Sequence, residues 1–168
     1  MKIGVLSDSH GRAAMTALAI SALRSAGAEL LLHLGDLGSN EVIEELAGQD
    51  ARIVLGNCDD PPEPLIRTAR SLDIAVDHPM GWVTAAGKRI AYTHGHLEDL
   101  MAQALEAGVD YLLHGHSHEL RDERIGRTRV INPGALFRAA RYTAAVLDPA
   151  ADELTIIDVA RVQADSRA

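Results

Sequence analysis

Six short polar clusters, each directly after an apolar run, hold the residues of this sequence that could do chemistry. They are Asp8-Ser9-His10-Gly11, Gly35-Asp36, Gly56-Asn57-Cys58-Asp59, Thr93-His94-Gly95-His96, Gly115-His116-Ser117-His118 and Asn132-Pro133-Gly134. Asp8 with His10 and His116 with His118 have i, i+2 spacing. In extended chain that spacing turns both side chains to one side, which suits ligation of one ion or two adjacent ions. The flanking glycines let the backbone turn sharply and come close to a site. Oxygen and imidazole donors without thiolates fit manganese, iron, zinc or nickel better than a structural zinc knot. An aspartate such as Asp36 can bridge two ions, one oxygen to each. Two ions about 3.5–4 Å apart clamp a phosphoryl group and activate a hydroxide.

Something must hold these clusters together, and the first half of the chain alternates strand and helix patterns. Residues 2–7, 30–34 and 52–55 are apolar runs. Between the first two, Met15, Leu18, Ala19, Ala22, Leu23 and Ala26 follow the spacing of one helix face, with Gly27 placed to cap it. Between the second and third, Val42, Ile43, Leu46 and Ala47 form a stripe ending at Gly48. Apolar strands separated by amphipathic helices imply parallel β-α-β units. Ligands of such sheets bind outside the carboxyl ends of the strands, where the clusters lie.

Pro61, Pro62 and Pro64 predict a loop up to about Leu65. Residues 82–85 and 89–93 flank Ala86-Gly87-Lys88 and read as a hairpin. Leu97, Leu100, Met101, Ala104 and Leu105 make a further helix stripe, and residues 110–114 a further strand. Residues 128–131, 142–147 and 154–159 read as short β segments, and the polar tail from Gln163 is expected to fray. With no repeat or linker, residues 1–168 are read as one two-layered or sandwiched α/β domain with a mixed sheet.

Composition bounds the partners. A chain of 168 residues, 47% hydrophobic and 24% charged, can bury a substantial core, which rules out a disordered chain. No apolar run approaches the roughly 20 residues of a membrane helix, and residues 1–6 are too short for a signal core. With a single cysteine, Cys58, no intrachain disulfide forms, and a cytoplasmic location is expected. The net charge of −8 argues against wrapping long nucleic acids. It leaves self-association into a homo-oligomer open.

The ordered series Asp-x-His, Gly-Asp, Gly-Asn-x-Asp, Thr-His and Gly-His-x-His over residues 8–118, with Asn-Pro-Gly at Asn132, resembles the calcineurin-like metallophosphoesterases, specifically the small YfcE-type members. The resemblance implies a β-sandwich of mixed sheets flanked by helices. It implies one ion on Asp8, His10, Asp36 and His118, and a second on Asp36, Asn57, His94 and His116, with Asp36 bridging. Two divalent ions are implied, manganese first, with iron, zinc or nickel as alternatives. The family mechanism has a metal-bridging hydroxide attacking phosphorus in line, on a small phosphate-ester substrate. Asn57 and Asp59 match catalytic positions of the family, Cys58 stands at the position of its acid, and His96, close to the site, could assist a phosphate or leaving group. Many family members carry histidine, thought to be the leaving-group acid, where this chain has Cys58. A thiol with an ordinary pKa near 8.5 fits that task less well, which favours activated phosphodiesters over monoesters.

Each residue also has a plainer role to weigh. Asp8 or Asp36 could cap the following helix, Asn57 and Asp59 could be turn residues, and His33 is expected to be a packed core histidine. Asn132-Pro133-Gly134 is either a turn or a wall of the site. The arginines Arg121, Arg124, Arg127, Arg129, Arg138 and Arg141 are more often a solvated face than a phosphate site. Competing functions are a phosphomonoesterase for a nucleotide or small metabolite, a metal store, and a non-catalytic scaffold like the retromer subunit of this fold. The complete ligand series argues against the scaffold.

Overall fold

The computed structural model describes residues 1–161, so the polar tail from Gln163 lies outside the described residues. Two sheets pack face to face. The first runs in the order β11 (Glu153–Asp158), β10 (Thr143–Asp148), β1 (Ile3–Leu6), β2 (Leu30–His33), β3 (Ala51–Ile53) and β4 (Ala75–Val76). Its strands β1 to β4 are parallel, and β10 and β11 are antiparallel additions. The second runs β5 (Met80–Ala85), β6 (Lys88–Thr93), β7 (Tyr111–Leu113), β9 (Thr128–Pro133) and β8 (Leu120–Ile125). Strands β6, β7 and β9 are parallel, and each edge strand is antiparallel to its neighbour. Both sheets are therefore mixed, as expected.

Three apolar clusters make four layers. Ile3, Val5, Leu32 and Leu34 of the first sheet meet Ile90, Tyr92, Leu113 and Ile131 of the second in the seam. The outer face of the first sheet carries α1 (Ala13–Ser25), α2 (Asn40–Glu44) and α3 (Glu63–Ser71), packed through Leu23, Ile43, Leu46 and Ala69. The outer face of the second carries α4 (Glu98–Glu106), with Ala104 against Leu112 and Val130. Residues of β2 are buried on both faces, which is why Leu-Leu-Leu-His lacks alternation.

Four sequence expectations need correction. Helix α2 stops at Glu44, and tight turns (Leu46 N to Ile43 O at 2.9 Å, Ala47 N to Glu44 O at 3.0 Å) carry Leu46 inward. Helix α3 begins at Glu63 despite the prolines: first-turn N–H groups have no partner within the helix, so Pro64 removes nothing there. Strand β8, Leu-Arg-Asp-Glu-Arg-Ile, is so charged that it lacks an apolar pattern, which suits an exposed sheet edge. Strand β4 is only two residues, paired to β3. The hairpin holds, with Ala86 at φ 51° and Gly87 at φ 74° as the two left-handed residues of its turn.

Candidate metal centre

All six clusters emerge at the carboxyl ends of parallel strands: β1, β2 and β3 from one sheet, β6, β7 and β9 from the other. The i, i+2 pairs are not extended, which corrects the expectation. Asp8 and His10 (φ 56° and 43°) and His116 and His118 (φ 69° and 59°) take left-handed backbone beyond their strands, as does Asp36 (φ 52°). Non-glycine residues adopt that region at a cost, and such residues cluster at functional sites. Nor are the aspartates helix caps. The residue preceding α1 is Arg12 and that preceding α2 is Ser39.

Asp8, His10 and His118 bring one donor atom each within 4.8 Å of one another, as do Asp8, Asp36 and His94. Oδ1 of Asp8 lies 3.3 Å from Nε2 of His118. The two oxygens of Asp36 face different imidazoles, Oδ2 at 3.4 Å from Nε2 of His10 and Oδ1 at 3.5 Å from Nε2 of His94. His94 Nε2 is also 3.2 Å from Oδ1 of Asn57. The ring of His116 stands 5.1 Å from that of His94, and its backbone N–H donates to Oδ2 of Asp8 at 3.1 Å. His116 and His96 both sit outside these triads, the ring of His96 5.3 Å from that of His94.

These side chains fit a cation. Asp8 is fully buried and Asp36 nearly so, yet no lysine or arginine among the described residues pairs with either. Buried carboxylates need compensating charge, and imidazoles alone supply little at neutral pH. Oδ1 of Asp8 and Nε2 of His10 are buried without a hydrogen-bond partner. Two donors each about 2.1 Å from one ion at a tetrahedral angle stand about 3.4 Å apart, close to the separations seen. Burial pushes the Asp8 carboxyl above its ordinary range, although the Ser7 hydroxyl and nearby imidazoles oppose it. Burial acts on Asp36 the same way, but the N–H of Cys58, donating to Oδ1 at 2.9 Å, and the flanking histidines hold it below that range.

The surroundings position the donors. Asp59 does not stand among them: its carboxylate accepts the backbone N–H groups of Gly56 (2.8 Å), Gly38 (2.9 Å) and Leu37 (3.2 Å), tying the loop after β3 to the loop that carries Asp36. Cys58 is exposed, with its sulfur within 4.8 Å of donor atoms of His10 and Asp36. Burial, then the Asp36 carboxylate, pushes its thiol up. The amide of Asn132 donates to Gly115 O (2.9 Å) and Ser117 Oγ (3.0 Å), bracing the loop that carries His116 and His118. Asn132 thus has a structural role beyond a plain turn.

Sequence reasoning placed His33 in the core, and it is fully buried. Missed was its reach: Nδ1 accepts the Gly35 N–H at 3.3 Å, so Nε2 donates to Ser9 Oγ at 2.8 Å, between Asp8 and His10. The signal was available in its position three residues before Asp36. Phe137 was also missed. Its ring lies 5.0 Å from that of His10, and no spacing pattern announces it.

A model of the calcineurin-like phosphoesterase superfamily domain matches residues 1–152. The chain belongs to that superfamily. A phosphodiesterase of Methanocaldococcus jannaschii is 30% identical to this phosphoesterase over 139 residues, which cover 80% of this chain and 83% of the relative. A solved archaeal phosphodiesterase superposes with a TM-score of 0.84 at 27% identity, covering 94% of this phosphoesterase and 99% of that chain. The Escherichia coli phosphoesterase YfcE shares the fold, with a TM-score of 0.68 at 22% identity over 95% of this chain and 100% of its own. No helix among the described residues of this phosphoesterase is long and apolar enough to cross a membrane.

Proposed function

We propose that residues 1–168 form one domain that hydrolyses small phosphate diesters in the cytoplasm with two divalent cations, manganese first among them. The observation that carries this reading is the pair of buried aspartates, Asp8 and Asp36, faced by imidazoles and by no lysine or arginine among the described residues. Asp8, His10, Asp36 and His118 would hold one ion, and Asp36, Asn57, His94 and His116 the other. The split of Asp36 oxygens between His10 and His94 supports its bridging role. When bound, the ions supply the activated water and neutralise charge on the phosphoryl oxygens.

The chain's own residues do the rest. His94 keeps Nε2 turned to the site because its Nδ1 donates to the Leu34 carbonyl at 2.8 Å. Asp59 acts by tethering the loops that carry Asp36 and Asn57. Cys58, with its thiol pushed up, is a weak proton donor at neutral pH, so a leaving group that needs no proton is favoured. That supports activated diesters over monoesters. His96, beside His94 and half-buried, is placed to meet a phosphate oxygen; burial and then the neighbouring imidazoles push its pKa down, which keeps it neutral.

The test is metal-stripped protein restored with single divalent ions and assayed on bis(p-nitrophenyl) phosphate and p-nitrophenyl phosphate. Manganese is expected to restore the diester activity most, with the monoester well behind. If no ion restores hydrolysis of either ester, the reading is wrong. Bound ions also raise the melting temperature, since saturation at 100 times Kd stabilises by about 2.7 kcal/mol.

A further inference from the structure

Six arginines lie between Glu119 and Tyr142, and the structure divides them. Arg121 pairs with Glu123, Arg124 with Asp152, Arg129 with Asp122 and Asp152, and Arg127 approaches Asp110 at 3.8 Å. Arg121, Arg124 and Arg127 form the solvated face expected of such residues, while Arg129, its side chain 13% exposed, is largely covered between its two carboxylates. Arg138 and Arg141 pair with no carboxylate among the described residues. Instead both line one cavity of about 370 Å³, whose lining also includes Ser117, His118, Glu119 and Thr143.

This cavity opens beside the candidate metal centre at two points. His118 belongs to its wall and, 3.3 Å from Asp8, to the first ion's donors. The guanidinium of Arg138 stands 5.0 Å over the ring of Phe137, which stands 5.0 Å from the ring of His10. Arg138 itself is held at φ 45°, a conformation an arginine does not take without support from its surroundings. Glu119 offsets one guanidinium charge, so the cavity stays positive in a chain of net charge −8.

We infer that this cavity binds a second anionic group of the substrate, a phosphate monoester carried on one arm of the diester being cleaved. A guanidinium presents its N–H groups as a planar fork that meets two phosphate oxygens at once. Two such forks beside His118, which would hold the first ion, suit a molecule with two phosphates, one cleaved and one gripped. The inference rests on the diesterase reading above and names its substrate class.

The test uses p-nitrophenyl phosphodiesters whose second arm is an alkyl chain of two to six carbons ending in phosphate, carboxylate or hydroxyl. At the best chain length the phosphate-ended ester is expected to exceed the hydroxyl-ended one by about tenfold or more in kcat/KM, chiefly through KM, with carboxylate between them. The preference should vanish in R138A/R141A, return in part in R138K/R141K, and persist in R124A, which removes a paired arginine. Both arginines are exposed, so the double variant is expected to fold. No preference at any chain length, or a preference that survives R138A/R141A, would overturn the inference while leaving the diesterase reading intact. A carboxylate preference equal to that for phosphate would overturn the assignment to phosphate. Failure to hydrolyse every ester with every ion would instead overturn the diesterase reading, and this inference with it.

Discussion

Nδ1 of His94, on the second sheet, donates a hydrogen bond of 2.8 Å to the carbonyl oxygen of Leu34, at the end of β2 on the first. A carbonyl can only accept, so Nδ1 carries a proton, which leaves Nε2, 3.5 Å from Oδ1 of Asp36 and 3.2 Å from Oδ1 of Asn57, as the ring nitrogen free to ligate. One backbone bond across the sandwich thus selects the ligating tautomer before any ion arrives.

Removing that imidazole should cost one ion and not the fold. His94→Ala is expected to bind one manganese fewer than the parent, by elemental analysis of desalted protein. Diester turnover should fall by at least about a hundredfold. Two ions bound to the variant would count against the assignment of His94.

Gly56 lies against Asp36. A Cβ built there would overlap Oδ1 of Asp36 and come within 2.8 Å of its Cγ. Gly56→Ala should therefore displace Asp36, with a loss of about 1–3 kcal/mol in urea unfolding and a larger fractional loss of metal affinity. Parent-like stability and affinity together would show that the loop yields freely.

Acid should act through His33, whose pKa burial pushes down to about 3 from an ordinary 6.5. Below pH 6.5 the unfolded chain takes up a proton that the folded chain refuses, so stability is full above pH 6.5 and falls as pH drops toward 3. The slope is roughly 1 kcal/mol per pH unit from this group alone. Chemical unfolding of the metal-free protein between pH 7 and pH 4.5 should show a shallower dependence in His33→Gln than in the parent. Equal slopes would remove His33 from the account.

The backbone N–H of Cys58 donates to Oδ1 of Asp36, so a new side chain leaves that bond in place and replaces only the thiol beside the same carboxylate. Cys58→His introduces an imidazole whose ordinary pKa suits proton donation near neutral pH. Turnover of alkyl monoesters should rise by up to on the order of a hundredfold, while that of p-nitrophenyl phosphate, whose leaving group needs no proton, should change little. A rise confined to the activated ester would show that the new imidazole does not protonate the leaving group.

Much of this site was legible because its donors follow strands. The runs ending at Ser7, Leu34 and Leu55 are apolar enough to announce buried parallel strands, and the polar residue after each stands out. The parts that stayed hidden have physical reasons. Strand β8 carries four charged residues in six because it forms a sheet edge, and α3 starts within a proline cluster that only the first turn tolerates. The left-handed backbone at Asp8, His10, Asp36, His116 and His118 has only a weak residue-type signature, the enrichment of aspartate and histidine in that region, which does not single out these positions from the other aspartates and histidines of the chain. The division of the arginines depends on carboxylates distant in the chain, such as Asp152 for Arg124 and Arg129.

The donors come from both halves of the sandwich: Asp8, His10, Asp36 and Asn57 follow strands of the first sheet, His94, His116 and His118 strands of the second. The apolar seam of Val5, Leu32, Tyr92 and Ile131 is thus the spacer that sets how far apart the two groups of donors stand. Trimming a single methylene from the seam, as in Ile131→Val, is expected to change which divalent ion best restores activity to metal-stripped protein, without touching a donor.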